Sequence, residues 1–123
     1  MTPGEVFADR THKYAPPPWR MFEALTDERE TWLLLRPGEV LPPVLEAVSP
    51  TSVVWGSLWS AAPHDVVELT ITPDGAGAAV RMVWRTPTPP DERGVGLVRK
   101  RLAEAFGAHV RLWVDTGVPP TPA

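Results

Sequence analysis

His12, His64 and His109 are the side chains best placed by their ordinary pKa to move protons near neutral pH. His109 falls in helical phase with Val95, Val98, Leu102 and Ala105, on the face that would meet the rest of the fold. An imidazole there can bind a ligand hydroxyl or serve as an acid or base. No carboxylate can be placed beside it from spacing, and a packed histidine bonded to a backbone carbonyl fits the same position. His64-Asp65 sits in a turn, Ala62-Pro63-His64-Asp65, where adjacency does not orient an imidazole. On an extended segment Asp9 and Lys13 share one face and His12 takes the other, so they form no catalytic group. The histidines include no H-x-x-x-H pair and there is no cysteine, so no metal site, thiolate nucleophile or disulfide is expected, and no cofactor. Glu28, Arg29 and Glu30 suit a helix start, where the dipole favours acids. Gly75-Ala76-Gly77 leads from strand to strand and lacks the lysine and helix of a phosphate loop.

Six tryptophans stand beside one tyrosine and three phenylalanines. Trp55 and Trp59 are four apart and share a face if Val53–Trp59 is a regular strand, and Trp84 lies on another strand. With Leu69, Met82, Leu102, Phe106 and His109 they are the candidate lining of a ligand pocket, where indoles could stack on a flat guest. Core filling is the competing role. A tryptophan buries about 150–250 Å², and a domain this small needs that area.

The elements that must position these residues follow from patterning. Glu5 to Tyr14 reads as a strand, stopped by Pro16-Pro17-Pro18. Trp19, Met21, Phe22 and Leu25 then follow helical spacing. After Thr26-Asp27 a second short helix is predicted to carry Trp32, Leu33 and Leu34, ending at Arg36-Pro37-Gly38. Val44–Val48 and Val53–Trp59 read as strands. Val66–Thr72 and Ala78–Thr86 form a hairpin about Pro73-Asp74-Gly75. Pairing Thr72 near Gly77 sets Val67 opposite Met82, Leu69 opposite Val80, and Glu68 opposite Arg81 as a surface ion pair. Beyond Thr-Pro-Thr-Pro-Pro, Asp91 is a predicted N-cap for a helix carrying Val95, Val98, Leu102, Phe106, His109 and Trp113. Gly107 offers an alternative in which the helix stops and Ala108–Val114 becomes a last strand. The single long helix is preferred. Strands joined by short turns with helices on one face make an α+β fold with about five antiparallel strands. Residues 1–115 are expected to form one domain and 116–123 a Pro-rich, disordered tail.

Composition narrows the function classes. The 123 residues carry a formal net charge of −3, with 43% hydrophobic and 22% charged residues, which suits a folded domain. The one basic run, Arg99-Lys100-Arg101, would point in several directions on a helix, so no nucleic-acid partner is expected. No apolar run approaches the roughly 18–20 residues of a membrane span. The opening MTPGEVFADR lacks the basic and apolar regions of a signal peptide, so a cytoplasmic location is expected.

Two segments carry a family resemblance. Ala15–Asp27 (APPPWRMFEALTD), followed by Trp32, is similar to the opening of the START-like or polyketide cyclase-like superfamily (SRPBCC proteins, the helix-grip fold). Val66–Trp84 (VVELTITPDGAGAAVRMVW) resembles its late hairpin. The resemblance spans most of residues 5–114. It implies a curved antiparallel sheet wrapped around the long C-terminal helix, two short helices after the first strand, and an apolar cavity between sheet and helix. About five strands, against the family's six or seven, make this a shortened member. The function it implies is binding of a hydrophobic small molecule, lipid or polyketide-like. One alternative is a polyketide cyclase or dehydratase in which His109, with Asp9 or Arg85, moves protons. Another is a protein-interaction or homodimerising module with a filled core.

Overall fold

Alternation of apolar and polar residues, broken at Val66 and Val83, in two adjoining segments builds the centre of the sheet. Strands β4 (Val66–Asp74) and β5 (Gly77–Thr86) pair antiparallel, burying Val67, Leu69 and Ile71 against Val80, Met82 and Trp84. The computed structural model describes residues 4–121, so the first three residues and the last two of the Pro-rich tail lie outside it. Three further strands, β1 (Glu5–Tyr14), β2 (Val44–Val48) and β3 (Ser52–Trp55), complete a curved, unclosed antiparallel sheet in the order β1-β5-β4-β3-β2.

The hairpin register differs from the expected one by two residues. Asp74 pairs with Gly77 across a two-residue turn in which Gly75 takes φ +59°. Val67 therefore faces Trp84, and Leu69 faces Met82. Glu68 lies opposite Val83 and bonds Arg85 at 2.6 Å, while Arg81 reaches Asp9 on β1 at 2.6 Å. A slide of two residues leaves every side chain on its own face, so patterning cannot detect it. The turn decides the register. At the other edge, a bulge between Val6 and Ala8 inserts Phe7. Bulges bend a strand, and this one brings the Phe7 ring to 6.0 Å from that of Trp84.

Proline tolerates a first helical turn, and α1 (Pro18–Thr26) starts on Pro18, burying Met21, Ala24 and Leu25. Trp19 is not on that face; it is 61% exposed. The second helix, α2 (Arg29–Trp32), has four residues and ends before Leu33 and Leu34, the latter at φ +52°. The predicted strand through Trp59 also ends early, at Trp55; beyond it the chain stays beside residues 39–43 through Gly56 N to Pro43 O at 2.7 Å, Val40 N to Leu58 O at 2.8 Å and an isolated bridge between Glu39 and Trp59.

The C-terminal helix runs for 25 residues as α3 (Glu92–Glu104), a π-helical turn (Ala105–His109) and α4 (Val110–Thr116). Asp91 caps it, accepting from Gly94 N at 2.8 Å. At Gly107 the rod neither stops nor joins the sheet; it widens into the π turn. Such a turn loosens the i→i−4 ladder, and here the buried Tyr14 hydroxyl donates to Phe106 O at 2.5 Å. Arg99 donates to Phe7 O at 2.6 Å and Arg111 to Lys13 O at 2.9 Å, tying the rod along the free edge of β1. Beneath the π turn the core is aromatic. Phe106 stacks on Trp55 with ring centroids 5.5 Å apart, and Trp32 lies 6.0 Å from Trp55 and 6.1 Å from Phe106. Both indole N–H groups are satisfied, by Ala24 O at 2.7 Å and Leu25 O at 2.8 Å.

Candidate functional site

Beyond β3 the chain forms a loop beside residues 39–43, with Val40 N bonding Leu58 O at 2.8 Å and Trp59 bridging Glu39, and Ser57 bonds both the N–H and the carbonyl of Trp59. That loop sets the Trp59 ring 6.0 Å from Trp84 of β5. Together with the N-terminal half of α3 it bounds a groove of about 730 Å³, with Trp59, Trp84, Leu97 and Val98 in its wall. Sites for small molecules usually span about 300–1,000 Å³ and are mostly apolar with a few placed polar groups.

Three charged side chains supply the polar groups. Arg101 of α3 meets Glu39 through two bonds of 2.8 Å, both side chains only 6% exposed, and also donates to Leu33 O at 2.8 Å and Leu34 O at 3.1 Å. Burial pushes the Glu39 carboxyl up. The Arg101 hydrogen bonds, the Arg36 N–H and both guanidinium charges outweigh that and hold it below the ordinary carboxylate range. Asp65 accepts the Trp84 indole N–H at 3.0 Å. Among the described residues no group of His, Asp and Glu is placed to hold a metal ion, and no helix is long and apolar enough to cross a membrane.

No family model matches the chain, and no curated protein matches it in sequence. Solved structures do match its shape. CalU16 from Micromonospora echinospora superimposes with a TM-score of 0.70 at 17% identity, over 93% of this chain and 76% of that one. The Aha1 dimer from Colwellia psychrerythraea gives 0.68 at 12%, over 89% and 96%. PFC0360w, an HSP90 activator from Plasmodium falciparum, gives 0.67 at 16%, over 91% and 96%. The chain has the helix-grip fold.

Within the helix grip the eight residues proposed from sequence divide among different places. Trp59, half-buried, lines the groove, and Trp84 lies wholly buried behind it as part of the core. Trp55, Leu69, Leu102 and Phe106 are buried in the core, as is Met82, which also backs a smaller hollow between β1 and Arg99. Trp55 and Trp59 do not share a strand face, since β3 ends between them. His109 stands in a separate hollow with Leu34, Arg36 and Glu104, its Nε2 3.5 Å from the Glu104 carboxylate. Asp9 and Arg85 engage Arg81 and Glu68 on the face of the sheet turned away from the helix, so the structure does not bring them to His109. Asp65, Glu39 and Arg101 escaped the sequence reading. Arg101 follows Leu97 by four residues and Val98 by three, at the margin of the apolar stripe, and that spacing was the available signal.

His12 packs 6.4 Å from both the Tyr14 and the Phe106 rings. Burial, then the charges of Arg10 and Arg111, lower its pKa. Burial also lowers that of His109, with Arg101 and Arg36 adding to the effect and Glu104 opposing it. Both imidazoles are therefore held neutral when folded. Their contribution to stability is complete above the unfolded value of about 6.5 and is lost as pH falls below it. The urea midpoint is expected to drop between about pH 7 and pH 5, with a smaller drop in His12→Gln; an equal drop in both chains would remove His12 as a cause.

Proposed function

We propose that this is a binding protein that holds a hydrophobic small molecule, lipid or polyketide-like, in the open groove between α3 and the loop after β3. One observation carries the reading: the interior under the π turn is filled by Trp32, Trp55 and Phe106, while a further, half-buried indole, Trp59, packs on the fully buried Trp84 and borders a groove of about 730 Å³. Indole faces suit flat or apolar guests. Leu97, 60% exposed at the groove's rim, adds apolar surface for such a guest.

The test is a tryptophan-fluorescence and thermal-shift screen against fatty acids, sterols and aromatic polyketides. A saturable response is expected from at least one class, weakened roughly tenfold by Leu97→Glu with no fall in melting temperature. A flat response in the native chain would end the proposal. A second reading, an interaction or homodimerising module, draws on the edge strand β2, where Leu45 is 59% and Val48 51% exposed. Two of the similar structures are described as a dimer and as an HSP90 activator. A stable dimer by light scattering, together with a flat ligand screen, would favour that reading.

A further inference from the structure

The inner face of β1 carries an arginine where the pattern of the sheet calls for an apolar side chain. Ala8, Arg10, His12 and Tyr14 lie in register with Trp84, Met82, Val80 and Ala78, all four of them buried. Alternation along the strand puts Arg10 on the face that meets the C-terminal helix. Beside the bulge between Val6 and Ala8 lies a hollow of about 370 Å³, and Arg10 lines it together with Arg99 of α3.

Two guanidiniums at one hollow repel each other unless an anion lies between them. Among the described residues neither Arg10 nor Arg99 has a carboxylate partner. Asp9 also lines the hollow, but Arg81 closes its carboxylate through bonds of 2.9 and 2.6 Å. Arg99 is held in place by Nε, which donates to Phe7 O at 2.6 Å and leaves both Nη groups to bond elsewhere. Arg10 follows Phe7 by three residues, about 10 Å along a strand, a distance that the Arg10 side chain and a small anion close between them. Both arginines are exposed, so a solute can reach them. The charge is felt next door: after burial, Arg10 and then Arg111 lower the pKa of His12. This stretch of β1 therefore sits in a positive field, on a chain whose net charge is −3.

We propose that this hollow is an anion site, which takes the carboxylate or phosphate monoester group of a small aromatic molecule between Arg10 and Arg99 and its ring against Val6 and Phe7. Val6 is 43% exposed and Phe7 half-buried, so the wall beside the two guanidiniums is apolar. A planar guanidinium offers paired N–H donors that match the oxygens of either anion. The site stands apart from the groove, with which it has no lining residue in common, and does not rest on the groove holding a ligand.

The probes are 2-naphthoate and 2-naphthyl phosphate, with 2-naphthalenemethanol as the neutral counterpart and inorganic phosphate as the bare anion. Binding is read by NMR titration at constant ionic strength, from the amides of Phe7, Ala8 and Arg10 and from the Arg99 Nε–H. Both naphthyl anions are expected to bind roughly tenfold tighter than the alcohol, and naphthyl phosphate tighter than inorganic phosphate. Arg10 is exposed, so Arg10→Gln should fold as the native chain does. It is expected to abolish the preference for the anions, and Arg10→Lys, which keeps the charge, to restore part of it. Equal affinity for anion and alcohol, or a preference unchanged in Arg10→Gln, would overturn the anion site. Inorganic phosphate binding as tightly as naphthyl phosphate would overturn the aromatic part of the assignment. Shifts confined to the Trp59 indole N–H would overturn the hollow and support the groove, whereas shifts on β1 with none at Trp59 would sustain the hollow without it.

Discussion

Arg101→Met is expected to cost about 3–5 kcal/mol of folding stability, because it strands a buried carboxylate. In the native chain the guanidinium closes Glu39 with two bonds and also satisfies the carbonyls that end the Leu33-Leu34 turn. Methionine fills a similar volume but satisfies none of these groups. The reverse substitution tests the cause. With Glu39→Gln added, no charge remains stranded, and most of the loss should return. The pH dependence supplies a second check. Glu39 titrates below the ordinary range when paired, so its contribution is full above an unfolded value of about 4.3 and is lost as pH falls through the lower folded value. Without Arg101, burial dominates and the carboxyl protonates more readily, so the gap between native and variant chains should narrow from pH 7 to pH 4.5. Urea unfolding at the two pH values measures both. A gap that stays constant would mean the loss comes from packing rather than charge.

The division between what patterning revealed and what it hid follows the physics of each element. Period-two alternation over Val66–Ile71 and Val80–Trp84 marks faces, and those faces are the observed ones. The same alternation is blind to a slide of two residues, which the Gly75 turn settles. The C-terminal helix was legible because Asp91 caps it and its apolar stripe persists across Gly107. The π turn there was not, since nothing in the local sequence marks it, and the Tyr14 hydroxyl that bonds Phe106 O within it comes from 92 residues away. Trp59 reads as a strand residue only if the chain continues straight through Gly56. The regular ladder stops at Trp55, and the pairing that follows is with residues 39–43, distant in sequence, which sets Trp59 opposite Glu39 at the groove. The groove's polar members were hidden for a similar reason. Asp65 looks like a turn residue and Arg101 like part of a solvated basic run until Trp84 and Glu39 arrive from elsewhere in the sequence.

Phe106→Ala should be equally severe, at about 3–5 kcal/mol, and it asks directly whether the space between sheet and helix is full. Phe106 is wholly buried, stacked on Trp55 at 5.5 Å, and edge-on to Trp32 at 6.1 Å. Its removal leaves a void walled mainly by these indoles, with the His12 ring at its edge, and apolar enough to stay dry. Dry cavities of this kind accept benzene-sized guests. A guest that binds only the folded chain stabilises it by about 2.7 kcal/mol at a concentration of a hundred times its dissociation constant. Benzene near saturation is therefore expected to raise the urea midpoint of Phe106→Ala well above its guest-free value, and to move that of the native chain far less. If both chains respond alike, the native interior already has room, and the helix grip of this protein holds its ligand inside rather than in the groove beside Trp59 and Trp84. If only the variant responds, Phe106 is the side chain that closes the interior, and a natural guest must use the open groove.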